Sequence, residues 1–97
     1  MIASFADPGT QDVFNGLASK AARRACPKDL WNVARRQLDQ LNAASRIDTL
    51  RVPPGNRFEA LKGERVGQHS IRINEQFRVC LRWTDAGAES VAIVDYH

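Results

Sequence analysis

The chain is poor in the residues that build metal centres and covalent frameworks. Its 97 residues include two cysteines and two histidines. Cys26 and Cys80 lie far apart and form no CxxC pair, so neither a disulfide scaffold nor a zinc knuckle can be read from them. HExxH, HxH and mixed Cys/His sets are absent, and no resident metal or other cofactor is expected. GxGxxG, GxxxxGK[ST] and GxSxG are also missing, which removes support for dinucleotide, triphosphate and serine-hydrolase chemistry. No apolar run approaches the length needed to cross a membrane. The start, Met1-Ile2-Ala3-Ser4-Phe5, lacks a basic segment followed by a long apolar one, so no secretory signal is expected and a reducing cytoplasm is the default compartment. The length allows one domain, 1–97, and excludes a full dinucleotide-binding sheet or an α/β barrel.

What the chain does carry is a modest core and uneven charge. Apolar residues make up 43% of it, enough for a folded domain. Fourteen basic side chains face eleven acids. The excess lies in two blocks. Residues 20–36 hold Lys20, Arg23, Arg24, Lys28, Arg35 and Arg36 against Asp29. Residues 51–82 hold seven cations against Glu59, Glu64 and Glu75. Such blocks suit phosphate, and they equally suit solvated helix and sheet faces.

The hydrophobic pattern divides the chain near Pro53-Pro54-Gly55-Asn56, the clearest loop. Ile2 to Phe5 predicts a short strand. Val13, Phe14, Leu17 and Ala18 predict an amphipathic helix over 10–20, opened by Asp7 as cap and Pro8 in the first turn. Residues 21–27 are ambiguous and end at Pro27. Leu30, Ala34, Leu38, Leu41 and Ala44 predict a longer helix from Lys28. Phe58 to Leu61 is a short run. His69 to Ile73 and Phe77 to Trp83 alternate, with Ile71, Ile73, Val79 and Leu81 on one parity. Ser90 to Tyr96 is apolar on both parities, as in a strand covered on both sides. The expected architecture is α+β: a short N-terminal strand, then two helices on one face of an antiparallel sheet of three to four further strands.

The uncovered sheet face then presents Arg72, Arg78 and Arg82. Mutual repulsion means they need either carboxylate partners or an anionic ligand, and an arginine fork suits phosphate. The chain ends Asp95-Tyr96-His97, with a histidine whose own α-carboxylate favours its charged form. Clustered cations, a tyrosine and a histidine without metal fit RNA cleavage by the substrate's own 2′-OH. The protein there need only orient the nucleophile, move protons and stabilise charge on phosphorus.

The blocks Pro53-Pro54-Gly55-Asn56-Arg57-Phe58-Glu59-Ala60-Leu61-Lys62-Gly63, Gly67-Gln68-His69-Ser70-Ile71-Arg72-Ile73-Asn74, Phe77-Arg78 and Val94-Asp95-Tyr96-His97 resemble the HigB family. Its members are toxins of HigBA toxin–antitoxin modules in the RelE/ParE superfamily. Residues 53–97 carry the specific match; residues 1–50 agree in pattern. The resemblance implies a RelE-like fold and an endonuclease that cuts translated mRNA in the ribosomal A site. It also implies a HigA-like helix-turn-helix antitoxin, through which operator DNA is met indirectly. Position by position it gives Lys62 and Arg78 phosphate binding and charge stabilisation, His97 acid–base work, Tyr96 orientation of the nucleotide or a share in proton transfer, and Asp95 positioning. Where some members have a histidine three residues before the lysine, this chain has Glu59, either base or structural carboxylate. Where many have tryptophan before the strand arginine, this chain has Phe77.

Arg72 and Arg82 are candidates for RNA contact. Lys28, Arg35 and Arg36, in the first basic block, are candidates for ribosomal RNA, for an acidic antitoxin surface or for simple solvation. Two other functions stay open on the same residues: a ParE-like toxin that binds DNA gyrase, and a weak toxin kept as an antitoxin-bound co-repressor.

Overall fold

The structure, a computed structural model, describes residues 1–96. Three α-helices precede a four-stranded antiparallel sheet. The helices are α1 (Pro8–Asn15), α2 (Lys20–Ala25) and α3 (Trp31–Ala43). The strands β1 (Glu59–Ala60), β2 (His69–Arg72), β3 (Phe77–Thr84) and β4 (Gly87–Asp95) lie in the order β1-β2-β3-β4.

Local chemistry explains where the helices begin and end. The Asp7 carboxylate caps α1 by accepting from the Thr10 N–H at 2.7 Å, and Pro8 occupies the first turn. The helix stops early, because Gly16 turns left-handed at φ 75° and ties back to the last turn. The expected extension to residue 20 therefore fails, and Leu17 is exposed. Ser19 caps α2 over the segment that was ambiguous in sequence, and Ala22 is fully buried. Residues Lys28–Leu30 form a single 3₁₀ turn ahead of α3. The α3 stripe is Ala34, Leu38 and Leu41, as the spacing predicts.

That stripe packs on Ile71, Ile73, Val79, Leu81, Val91 and Ile93 from one sheet face. Leu30 is half-buried at the edge of this core. The alternation read for β2 and β3 is the one observed, with Phe77, Val79 and Leu81 toward the helices. β4 starts earlier than expected, at Gly87, and its parity shifts midway. Ser90 adopts φ 53°, and the register slips between Cys80 and Arg82. Ala88 is thus buried on one side of the slip, and Val91 and Ile93 on the other. Ala92 and Val94 are half-buried on the opposite face, so β4 is covered fully on one side only.

The N-terminal segment joins the sheet as two isolated parallel bridges, Ile2 to Ala88 and Phe5 to Val91, rather than as a continuous strand. The Ser90 distortion lies between them, and the Ser4 hydroxyl accepts the Ser90 N–H at 2.8 Å. Thr10 adds a buried tie: its hydroxyl accepts the Ile93 N–H at 3.0 Å.

The Pro-Gly loop is anchored from inside. Asn56 is 2% exposed. Its amide nitrogen donates to Gln40 Oε1 at 3.0 Å and to the Leu50 carbonyl at 3.1 Å, and its oxygen accepts from Gln37 at 3.1 Å. Gln37 also donates to the Arg72 carbonyl at 2.6 Å. These bonds fix the loop to α3 and to β2.

Candidate functional site

The sheet register builds the site on the face away from the helices. Arg72 lies opposite Arg78, and Ser70 opposite Cys80. Cys80 lies opposite Ala92, and Arg78 opposite Val94. Tyr96 follows two residues beyond Val94, and its N–H is held by the Gln76 carbonyl. Residues two apart share a face, so Val94 leads to Tyr96 on the arginine side.

Arg78 makes more polar contacts than any other of these side chains and is 12% exposed. Its Nε donates to the Ser70 hydroxyl at 2.7 Å, and one terminal nitrogen donates to the Arg57 carbonyl at 2.6 Å. Glu59, on β1, stands 3.6 Å from the same guanidinium. Arg57 offers its carbonyl from a left-handed conformation, φ 45°, directly after the buried Asn56. Arg78 is thereby held in one pose by three different elements.

Beside it runs an open groove of about 420 Å³, lined by Lys62, Glu64, Arg65, Val94, Asp95 and Tyr96. Lys62, Asp95 and Tyr96, far apart or terminal in sequence, meet here. Asp95 accepts from Gln76 at 3.2 Å. Burial and the neighbouring Cys80 push the Tyr96 hydroxyl above its ordinary range, while Arg65 and Arg78 oppose them. The Cys80 thiol is also raised, chiefly by burial, against the pull of the same two arginines. Both groups therefore remain neutral near pH 7, and the tyrosine is a hydrogen-bond donor there.

A second depression, about 290 Å³, is lined by Arg57, Arg72, Asn74, Glu75 and Arg78. A third, about 400 Å³, lies at the other end of the sheet around Met1, Ala44 and Trp83–Gly87. Its one acidic or basic side chain is Asp85, and it gathers no reactive cluster.

Arg82 is exposed on β3 and packs its guanidinium against Gly67, lining neither of the first two depressions. Lys28, Arg35 and Arg36 are exposed on the helical layer, behind the sheet. Arg35 lies against the left-handed end of α1 at Gly16. The structure does not bring these three cations to the groove. His97 lies outside the described residues. Sequence reasoning missed Arg65, Arg57, Ser70 and Cys80. Period-2 alternation alone puts Cys80 on the face of Arg78, so that residue was within reach; Arg65 arrives on a 3₁₀ turn, Gly63–Arg65, whose placement no local spacing reveals. Among the described residues no group of three or more His, Cys, Asp or Glu could hold a metal ion.

Three helices backing a four-stranded antiparallel sheet make an α+β fold. The solved YoeB-YefM complex from Staphylococcus aureus is similar in fold: a TM-score of 0.53 over 100% of this chain and 98% of that one, at 16% identity, which speaks to fold alone. The family described as RelE-like toxin of type II toxin-antitoxin system HigB matches residues 4–97, and the chain belongs to it. Toxin HigB-1 of Vibrio cholerae serotype O1 (strain ATCC 39315 / El Tor Inaba N16961) is 45% identical over 65 residues, 67% of this chain and 68% of that one. The protein is a toxin of a type II toxin–antitoxin system, and an antitoxin is its partner. Among the described residues no helix is long and apolar enough to cross a membrane.

Proposed function

We propose that the chain is an endoribonuclease that cuts mRNA on the ribosome, in the A site, and that a HigA-like antitoxin restrains it. The observation that carries this reading is the convergence of Lys62, Arg65, Asp95 and Tyr96 in one groove beside an immobilised Arg78.

The reaction needs no protein nucleophile. The RNA 2′-oxygen attacks the adjacent phosphorus, the bond from phosphorus to the 5′-oxygen breaks, and a cyclic phosphate remains. One proton leaves the 2′-OH and one reaches the departing 5′-oxygen. Lys62 and Arg78 offset the charge that grows on the phosphoryl oxygens. A guanidinium fixed in advance does this without reorganising during the reaction. Tyr96, held neutral, donates a hydrogen bond to a phosphoryl or leaving oxygen. His97, the next residue in the chain, exchanges the protons, and Asp95 positions its neighbours. Glu59 stands 3.6 Å from the Arg78 guanidinium, which supports an orienting role for it instead of that of a base. DNA lacks the 2′-OH, so the chemistry is specific to RNA.

Primer extension on a reporter mRNA with purified ribosomes tests this. Cuts that depend on ribosomes are expected from the intact chain, and none from a chain lacking Tyr96 and His97. Full cutting retained by both Lys62→Ala and the truncated chain would remove the site assignment. Inhibited gyrase supercoiling without any RNA cleavage would replace the reading with a binding toxin.

A further inference from the structure

The depression beside Arg78 carries positive charge that the fold does not balance. Arg57, Arg72 and Arg78 line it against one acid, Glu75. Arg78 is compensated by Glu59, which stands 3.6 Å away from outside the lining. Arg72 meets Glu75 at 3.9 Å, and the Glu75 side chain is 95% exposed, so that contact contributes little. Arg57 has no ion-pair partner among the described residues. By contrast the tyrosine groove sets Lys62 and Arg65 against Glu64 and Asp95.

Two features aim this charge. Arg72 and Arg78 are direct cross-strand partners, and their Cα atoms therefore stand about 5 Å apart. Like charges in that position destabilise a sheet unless something anionic sits above them. Asn74 lines the same depression, and its Oδ1 already accepts the Gln76 and Phe77 N–H groups at 2.8 and 2.7 Å. What Asn74 has left to offer is its amide N–H₂, a donor. Arginine forks and an amide donor around one concavity describe a phosphate site. It lies one strand away from the groove, since β3 carries Arg78 between β2 and β4.

We propose that Arg57, Arg72, Asn74 and Arg78 form a second phosphate subsite, holding a phosphodiester next to the one that is cut. The assignment rests on the ribonuclease reading for what the strand is. It goes beyond that reading in giving the free protein a built place for a neighbouring phosphate, with Arg57 as a contact. Glu75 is displaced from Arg72 when the phosphate enters.

The test is the salt dependence of binding by the free protein, using a labelled single-stranded RNA hexamer that carries 2′-methoxy groups and cannot be cleaved. Each lost phosphate contact lowers the slope of log K against log salt by about 0.7. Arg57→Ala and Arg72→Ala are each expected to lower it by that amount. Arg46→Ala removes the same charge from an exposed pair with Asp48 and is expected to leave the slope unchanged. The ribosomal cleavage assay, run on the same variants, is expected to need about tenfold more Arg72→Ala for half-saturation. Unchanged slopes for both site variants, or an equal drop for Arg46→Ala, would overturn the subsite whatever the cleavage assay shows. Slope losses confined to Arg57 and Arg72, with no cleavage by the intact chain, would sustain the subsite and overturn the ribonuclease reading.

Discussion

Replacing Asn56 by alanine is expected to damage the fold far more than a loop substitution normally does. The side chain makes hydrogen bonds to Gln40, to the Leu50 carbonyl and, at 3.4 Å, to the Val52 carbonyl, and accepts one from Gln37. The bond to Leu50 is buried, so its loss strands a carbonyl away from water at about 1–3 kcal/mol. The other partners are half-exposed and recover water in part, each at the low end of about 0.5–1.5 kcal/mol. The expected total is about 3 kcal/mol. For a domain of this size that is roughly 15 °C in Tm. Thermal and urea unfolding followed by circular dichroism would measure it. Asn56→Asp separates bonding from packing. It keeps the shape and the bond from Gln37, but sets a carboxylate oxygen against three acceptors. It should therefore be no better than alanine. A loss below about 1 kcal/mol for alanine, or wild-type stability for aspartate, would refute the claim that the loop hangs on this amide.

Alkaline pH should weaken the protein. Burial, aided by the Asp29 charge, raises the Cys26 thiol from 9.0 to about 11, so between those values the folded chain keeps a proton that the unfolded chain releases. Stability is then full below pH 9 and falls by about 2–3 kcal/mol toward pH 11; urea midpoints for wild type and Cys26→Ala across that range should diverge, and parallel curves would exclude Cys26 as the cause. Gly9→Ala should cost about 1–3 kcal/mol, because a Cβ there falls on the Ala21 carbonyl where α1 crosses α2; a urea midpoint equal to wild type would show that the crossing yields. Glu59→Gln should change stability by less than about 0.5 kcal/mol, since the carboxylate is 54% exposed. It should lower cleavage severalfold through Arg78, and a loss as deep as that of Arg78→Ala would make Glu59 a reacting group.

The elements legible in the sequence were those with one greasy face. β2 and β3 alternate cleanly because helices cover one side and polar groups the other. α3 is legible for the same reason, through Ala34, Leu38 and Leu41. α2 was hidden because a helix of six residues with three alanines and three cations has too few apolar positions to show a period. β4 was legible as a strand but not in its facing, since the left-handed Ser90 breaks the parity on which such a reading depends. Asn56 followed Pro-Pro-Gly and so read as a surface turn, although it is among the best-buried polar groups.

The site divides along the same line. Tyr96, Asp95, Lys62 and Arg78 could be nominated from the chain, but only the fold shows what an arginine at position 78 holds that a lysine would not. Its fork reaches β2 through Ser70, the loop through the Arg57 carbonyl, and β1 through Glu59. Lysine preserves the charge and has no planar fork, so it cannot meet partners on three elements at once. The buried hydroxyl of Ser70 would then lose its donor, and the backbone of Arg57 its tie. Charge alone would serve a surface ion pair equally well with either residue. A requirement for arginine marks a group whose direction matters, and direction is what stabilising a charge on phosphorus demands.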